Sequence, residues 1–184
     1  MQFPKFIALC GNPSSGKTTA AELLCDDLGY ELVDDGLPLR EIGQNYFGLT
    51  WEQCHTQEGK KEKILLNGRE YEAREILGEI GDALERKFGE NIMPVMVLNR
   101  HHDDFKDPSR RFVFGSVRRN QGLFWRSMGA LVLEINNPSA LPSPYYFDQY
   151  NRAPIHESVF NDGTSRALFR DRLVEAVYRW RPDR

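Results

Sequence analysis

Gly11-Asn12-Pro13-Ser14-Ser15-Gly16-Lys17-Thr18 spells a complete G-x-x-x-x-G-K-T loop. The run before it, Phe6-Ile7-Ala8-Leu9-Cys10, is continuously apolar, which predicts a short strand buried on both faces of a parallel sheet. After it, Ala20, Leu23, Leu24 and Leu28 recur at helical spacing, which predicts a helix laying one face on that sheet. In this strand–loop–helix order the glycines let the backbone curl so that successive N–H groups point at a polyphosphate. The helix N-terminus adds favourable partial positive charge. Gly11, Asn12, Ser14, Ser15, Gly16 and Thr19 are thereby candidates for the phosphate cradle. Lys17 is expected on the outer phosphates, and the Thr18 hydroxyl at one position on Mg²⁺.

The 184 residues suit one α/β domain with a core that needs no metal or disulfide. A net charge of −3 and a pI near 5.8 argue against a dedicated nucleic-acid binder, which would carry a basic excess. No apolar run approaches the roughly 20 residues of a membrane span, and a basic-then-apolar leader is absent. Cys10, Cys25 and Cys54 show no C-x-x-C spacing, so they read as apolar filler in a reducing cytoplasm. His101-His102-Asp103-Asp104 reads as a solvated helix end or loop, because neighbouring residues on a helix do not share a face.

Beyond the first βα unit, Tyr30–Val33 reads as a strand ending in Asp34-Asp35-Gly36, and Pro38–Phe47 as a helix stopped by Gly48. The polar stretch from Glu52 to Asn67 reads as a mobile excursion. Tyr71–Phe88 then reads as a helix with an apolar stripe of Ala73, Ile76, Leu77, Ile80, Leu84 and Phe88. Gly78 and Gly81 interrupt that stripe, which suggests close approach by another backbone or a ligand, or plain tight helix packing. A helix over 91–100, a strand over 111–117, a short helix to Met128 and a strand over 130–135 follow. The proline-rich 136–154 reads as loop, Ser158–Phe160 as the last strand and Ser165–Trp180 as a closing helix. Alternating strands and helices predict a parallel sheet covered on both faces, with ligands at the carboxyl ends of the strands.

A phosphate-binding loop alone names a nucleotide, not a reaction. The chain has no guanine-reading N-K-x-D motif, which sets it apart from switch GTPases. Arg40, Arg69, Arg74, Arg86, Arg118 and Arg119 lie at expected strand ends and helix starts. That supply suits a small kinase, which must neutralise the charge of a transferring phosphoryl group beside a phosphorylated acceptor.

In this order of pieces the sequence resembles the bacteriophage deoxynucleoside monophosphate kinases, relatives of the adenylate-kinase-like group. The pieces are the glycine loop, Gly36-Leu37-Pro38-Leu39-Arg40, Asn67-Gly68-Arg69, Arg74-Glu75-Ile76-Leu77-Gly78-Glu79-Ile80-Gly81-Asp82, Phe88-Gly89-Glu90-Asn91, the Arg118 region and Asn161-Asp162-Gly163-Thr164. The resemblance implies a P-loop NTPase three-layer α/β fold forming one kinase domain over 1–184, with a mobile helical acceptor or lid region within about 36–105. It implies phosphoryl transfer from ATP, with Mg²⁺, to a (deoxy)nucleoside monophosphate. Lys17 and Arg118 would be catalytic, and Asn161 and Gly163 would lie by the adenine. Asp35, Arg40, Arg69, Arg74, Gly81 and Asp82 would serve the acceptor. No nucleic-acid or membrane partner is implied, a homodimer is compatible with the family, and the expected location is cytoplasmic, a host's if phage-encoded.

The chain departs from the family at three places. Ser116 stands where the acid of the Asp-x-Arg motif belongs, and Gly122 at a later acidic position. Tyr145-Tyr146-Phe147-Asp148-Gln149-Tyr150 replaces a His-x-Ser/Thr-Glu pattern, its aromatics packing over the nucleotide or covering a sheet edge. Asp34 or Asp35 could supply the missing charge near Mg²⁺. Two other functions stay open: a P-loop kinase of another small acceptor, and a nucleotide-binding regulatory or interaction module without turnover.

Overall fold

The computed structural model describes residues 3–182. Strand β1 (Phe6–Cys10) is buried along its whole length. It pairs in parallel with β5 (Phe112–Phe114) on one side and β6 (Leu131–Asn136) on the other. With β2 (Glu31–Val33) beside β5 and β7 (Glu157–Phe160) beside β6, the five parallel strands run in the order β2-β5-β1-β6-β7. The two-residue period of a strand divides their side chains between two apolar layers. On one face Ile7, Leu9, Val113, Leu133 and Ile135 pack with Leu24 of α1 (Lys17–Leu28) and Leu173 of α8 (Arg166–Arg179). On the other face Phe6, Phe112 and Phe114 meet Phe105 of α6 (His102–Lys106) and Trp125 of α7 (Gln121–Ser127). The Phe114 and Trp125 rings stack 3.8 Å apart. Each fully buried large side chain contributes about 1.5–3 kcal/mol, so these layers hold the strand ends in fixed positions.

Local signals close the helices where the sequence places them. Gly29 (φ 66°) ends α1 by donating its N–H to Cys25 O, and the Ser165 hydroxyl accepts the Leu168 N–H at the start of α8. The result is the three-layer α/β arrangement of a P-loop NTPase.

The chain divides into two compact units. The first holds the sheet and comprises the residues up to Asp35 and from Leu98 onward; the second is Gly36–Val97. The second unit contains α2 (Leu37–Phe47), α3 (Trp51–His55), a 3₁₀ turn (Gly59–Lys61), a hairpin of β3 (Lys63–Leu66) and β4 (Arg69–Glu72), and α4 (Ala73–Phe88). The boundary falls within α5 (Ile92–Arg100).

The stretch expected to be a mobile excursion, Glu52–Asn67, is instead built structure. Thr50 and Gln53 form a capping box that starts α3. Cys54 is fully buried in a small core with Leu49, Ala73, Ile76 and Leu77. Asn67 (φ 47°) and Gly68 (φ 78°) make the two-residue left-handed turn that a tight hairpin requires. The hairpin also takes Tyr71 and Glu72 into β4, so α4 begins later than its periodicity suggests. Glu72 caps it, the Glu72 N–H donating to Glu75 Oε2 at 2.7 Å.

Candidate functional site

At the carboxyl end of β1 the backbone turns through Gly11 (φ 143°), Ser14 (φ 62°) and Gly16 (φ 104°) into α1. Ser14 is a non-glycine residue held in the left-handed region at a cost of roughly 1–2 kcal/mol. Gly16 is required twice over, because a Cβ there would also collide with Asn161 Nδ2. No side chain caps α1 and its first turn carries no acid, so its leading N–H groups are left for an anion.

Two outside contacts hold this curl. Asn12 Nδ2 donates to Ala140 O, and Asn161 Nδ2 donates to Ser15 O, both at 2.9 Å. The Asn161 N–H donates to Asn136 O at 2.9 Å, which ties the segments after β6 and β7 to the same loop. Within it Ser15 is buried, and its hydroxyl has no hydrogen-bond partner among the described residues. A buried unpaired hydroxyl costs about 1–3 kcal/mol; a phosphate oxygen in the cradle offsets that cost. The donor set therefore fits a polyphosphate.

Lys17 Nζ donates to Gly11 O and Asn12 O, each at 2.8 Å. Burial pulls its pKa down to about 8, and the positive charge of Arg118 pushes the same way. Asp148, then Cys10 and Asp35, oppose that shift. Arg118 Nη1 pairs with Asp148 Oδ1 at 3.1 Å. Asp148 Oδ2 accepts the Ser143 hydroxyl at 2.9 Å. The structure thus brings Lys17, Arg118 and Asp35 into one electrostatic neighbourhood. It adds Asp148, which lies in the aromatic stretch Tyr145–Tyr150 and belongs to no motif.

A second acid is likewise marked by no motif. Glu134 lies inside an apolar strand, opposite Cys10 in register, and is 2% exposed. It accepts the Tyr150 hydroxyl at 2.7 Å and Arg152 Nη2 at 2.8 Å. Burial and the charge of Glu134 push the Cys10 thiol up to about 12, which makes it an inert neighbour. Only the pairing of a strand acid with Tyr-x-Arg fifteen or so residues later could have flagged this cluster, and that is a weak signal.

Ser116 lies half-buried in the irregular backbone after β5. At Gly122 a Cβ would sit 2.9 Å from Pro154 Cγ, so an acidic side chain there would have to displace Pro154. Asn161 uses its side-chain amide on the loop, and its Oδ1 accepts the Gly163 N–H at 3.2 Å; with the Asn161 N–H already on Asn136 O, these two residues could meet a ligand through their carbonyls but not through their N–H groups. Thr18 is exposed and Thr19 half-buried in the first turn of α1. Among the described residues no group of three or more His, Cys, Asp or Glu could hold a metal. Magnesium carried on phosphates needs few protein ligands, and the exposed Thr18 hydroxyl suits that task. No described helix is long and apolar enough to cross a membrane.

In the second unit, Arg40 and Arg74 converge on the segment around α3. Arg40 Nε donates to Cys54 O at 3.2 Å, and Arg74 Nη2 donates to Gln57 Oε1 at 3.4 Å. Arg69 is exposed at the start of β4, next to the hairpin turn. Asp82 is half-buried on α4. Gly81 has a packing role, because a Cβ there would meet Leu39 Cδ1 at 3.3 Å.

No protein-family model matches the chain. Over 142 residues it is 31% identical to the "putative deoxynucleotide monophosphate kinase" of Acanthamoeba polyphaga mimivirus, covering 72% of this chain and 74% of that protein. Among solved structures, TT1252 from Thermus thermophilus aligns over 96% of this chain and 97% of its own, with a TM-score of 0.54 at 18% identity. The dephospho-CoA kinase of Campylobacter jejuni aligns over 95% and 96%, with a TM-score of 0.52 at 16% identity. At those identities the two structures speak for the fold.

Proposed function

The chain belongs to the deoxynucleotide monophosphate kinase family, and we propose that it transfers the γ-phosphoryl group of ATP to a deoxynucleoside monophosphate. The observation that carries this reading is the loop at Gly11–Thr18, with its uncapped helix end and the Lys17 ammonium folded onto it. An oxygen of the acceptor's phosphate attacks the γ-phosphorus, the bond to the β-bridging oxygen breaks, and ADP leaves. Charge balances without a proton transfer, so no general base is needed. Catalysis then rests on in-line placement and charge neutralisation.

Each residue has a part in that scheme. Backbone N–H groups of the loop and the Ser15 hydroxyl bind the β- and γ-phosphate oxygens. Lys17 exchanges its two carbonyl partners for phosphate oxygens, and Arg118 meets the charge that spreads over the transferring group. The Thr18 hydroxyl would be among the ligands of a magnesium ion, which when bound would offset the charge of the outer phosphates. Asn161 and Gly163 offer the adenine amino group their backbone carbonyls. The residues we assign to the acceptor are Asp35, Arg40, Arg69, Arg74, Gly81 and Asp82. A viral source and action in a host cytoplasm belong to the same reading, supported by the mimivirus relative.

The test is ADP release with ATP and Mg²⁺ across a panel of deoxy- and ribonucleoside monophosphates. Acceptor-dependent release, absent in Lys17→Ala, is the expected result. Release with none of the panel, in a protein that binds ATP, would sink the nucleotide acceptor.

A further inference from the structure

Two cations, Lys17 and Arg118, stand close enough to oppose each other's charge beside the phosphate loop. The opposing negative charge comes from Asp148, in a different part of the chain. We propose that Asp148, itself fixed by Ser143, positions Arg118 for phosphoryl transfer. This rests on the reading of Arg118 as the arginine that faces the transferring group.

Both oxygens of the carboxylate are engaged. Oδ1 meets Arg118 Nη1 at 3.1 Å, and Oδ2 accepts the Ser143 hydroxyl at 2.9 Å. Ser143 Oγ in turn accepts the Tyr145 N–H at 3.2 Å, so the hydroxyl is oriented by backbone. The Asp148 side chain is 12% exposed and that of Arg118 38% exposed. The acid is therefore sheltered, while the guanidinium keeps open donors for a phosphate.

The two main chains are also joined. The Arg119 N–H donates to Gln149 O at 2.7 Å, the Asn151 N–H donates to Arg119 O at 2.8 Å, and Asn151 Nδ2 donates to Asn120 Oδ1 at 2.9 Å. Arg119 holds a left-handed backbone (φ 46°) to make this junction, and its guanidinium lies 4.8 Å from the Tyr146 ring centroid. The segment around Asp148 is thus laced to residues 118–120, which gives the ion pair a rigid base. A long flexible arginine held at one nitrogen samples fewer orientations, so more of its encounters with the phosphate are productive.

The experiment is a double-mutant cycle on kcat with saturating ATP, using Asp148→Asn, Arg118→Ala and both together, with thermal unfolding of each. Asp148→Asn is expected to lower kcat about 10- to 100-fold, with the acceptor KM within about 3-fold of wild type. In the Arg118→Ala background it should cost less than about 2-fold more, and Asp148→Glu should recover part of the loss. Ser143→Ala, which removes one hydroxyl, gives a milder loss along the same route and serves if Asp148→Asn does not fold. Equal losses in both backgrounds would overturn the proposal. So would a rise in kcat, which would mean that Asp148 sequesters Arg118. If the wild type turns over no acceptor, the proposed function fails separately. The cycle is then read on the preference for a fluorescent ATP analogue over its ADP counterpart: non-additive losses uphold the positioning role, and additive or absent losses overturn it.

Discussion

Asn161 and Ser15 lie 146 positions apart, yet the Asn161 side-chain amide donates to the Ser15 carbonyl at 2.9 Å. The exit of the last strand is thereby a strut for the phosphate loop. Asn161→Asp replaces that donor with a carboxylate facing a carbonyl oxygen and the incoming phosphates. ATP affinity should fall at least about 10-fold, since the repulsion joins a lost hydrogen bond worth about 1 kcal/mol. Calorimetric titration checks this, and unchanged affinity would remove Asn161 from the site.

Lys17 is held down to about 8 by burial and Arg118, whereas a bound triphosphate favours its ammonium form. ATP binding should therefore take up a proton above about pH 8, and affinity should weaken as pH rises through that value. Proton uptake is read from the buffer dependence of the binding enthalpy at pH 8.5. For the nucleotide-free protein the sign is opposite. Between about 8 and the ordinary 10.5 the unfolded chain holds more protons at this site, so wild type gains stability over Lys17→Met as pH climbs through that window. A difference that stays flat from pH 8 to 10.5 would refute the depressed value.

The three thiols should react unequally. Cys10 is pushed up to about 12 by burial and Glu134, and Cys54 is also raised by burial. Only the thiolate attacks an alkylating reagent. Burial raises the Cys25 thiol as well, so access decides the order: Cys25, half-buried on α1, should label first at pH 8, with Cys10 and Cys54 protected until denaturant is added. Mass spectrometry of timed samples measures the order.

Restoring an acid at position 122 should harm rather than help. The side chain in Gly122→Asp must push into Pro154, 2.9 Å from the Cβ position, and bring a charge into a buried site. Overpacking alone costs about 1–3 kcal/mol. A lowered melting temperature without gain in turnover is expected. A gain in turnover would show that the departure weakens catalysis.

Gly81→Ala separates packing from ligand contact on α4. Alanine adds about 1 kcal/mol of helix propensity, against a shift of a few tenths of an ångström in the flexible Leu39 side chain. Thermal stability should hold or rise slightly. If the acceptor also passes this face, its KM rises while the melting temperature does not fall.

What the sequence alone determined is local. The apolar run Phe6–Cys10, the glycine loop and the 3.6-residue stripe of α1 are contiguous, and their geometry follows from backbone sterics and side-chain period. Gly48 likewise ends its helix. The tertiary structure decided whatever depends on distant partners. Glu52–Asn67 is polar enough to look like a loop, but its order comes from the burial of Cys54 against Leu49, Ala73 and Leu77, a core no short window contains. Asp148 looks incidental among aromatics until Arg118 and Ser143 close on it. Glu134 looks misplaced in an apolar strand until Tyr150 and Arg152 satisfy it. A buried charge is tolerated only where partners converge, and convergence of residues far apart in the chain is a property of the fold.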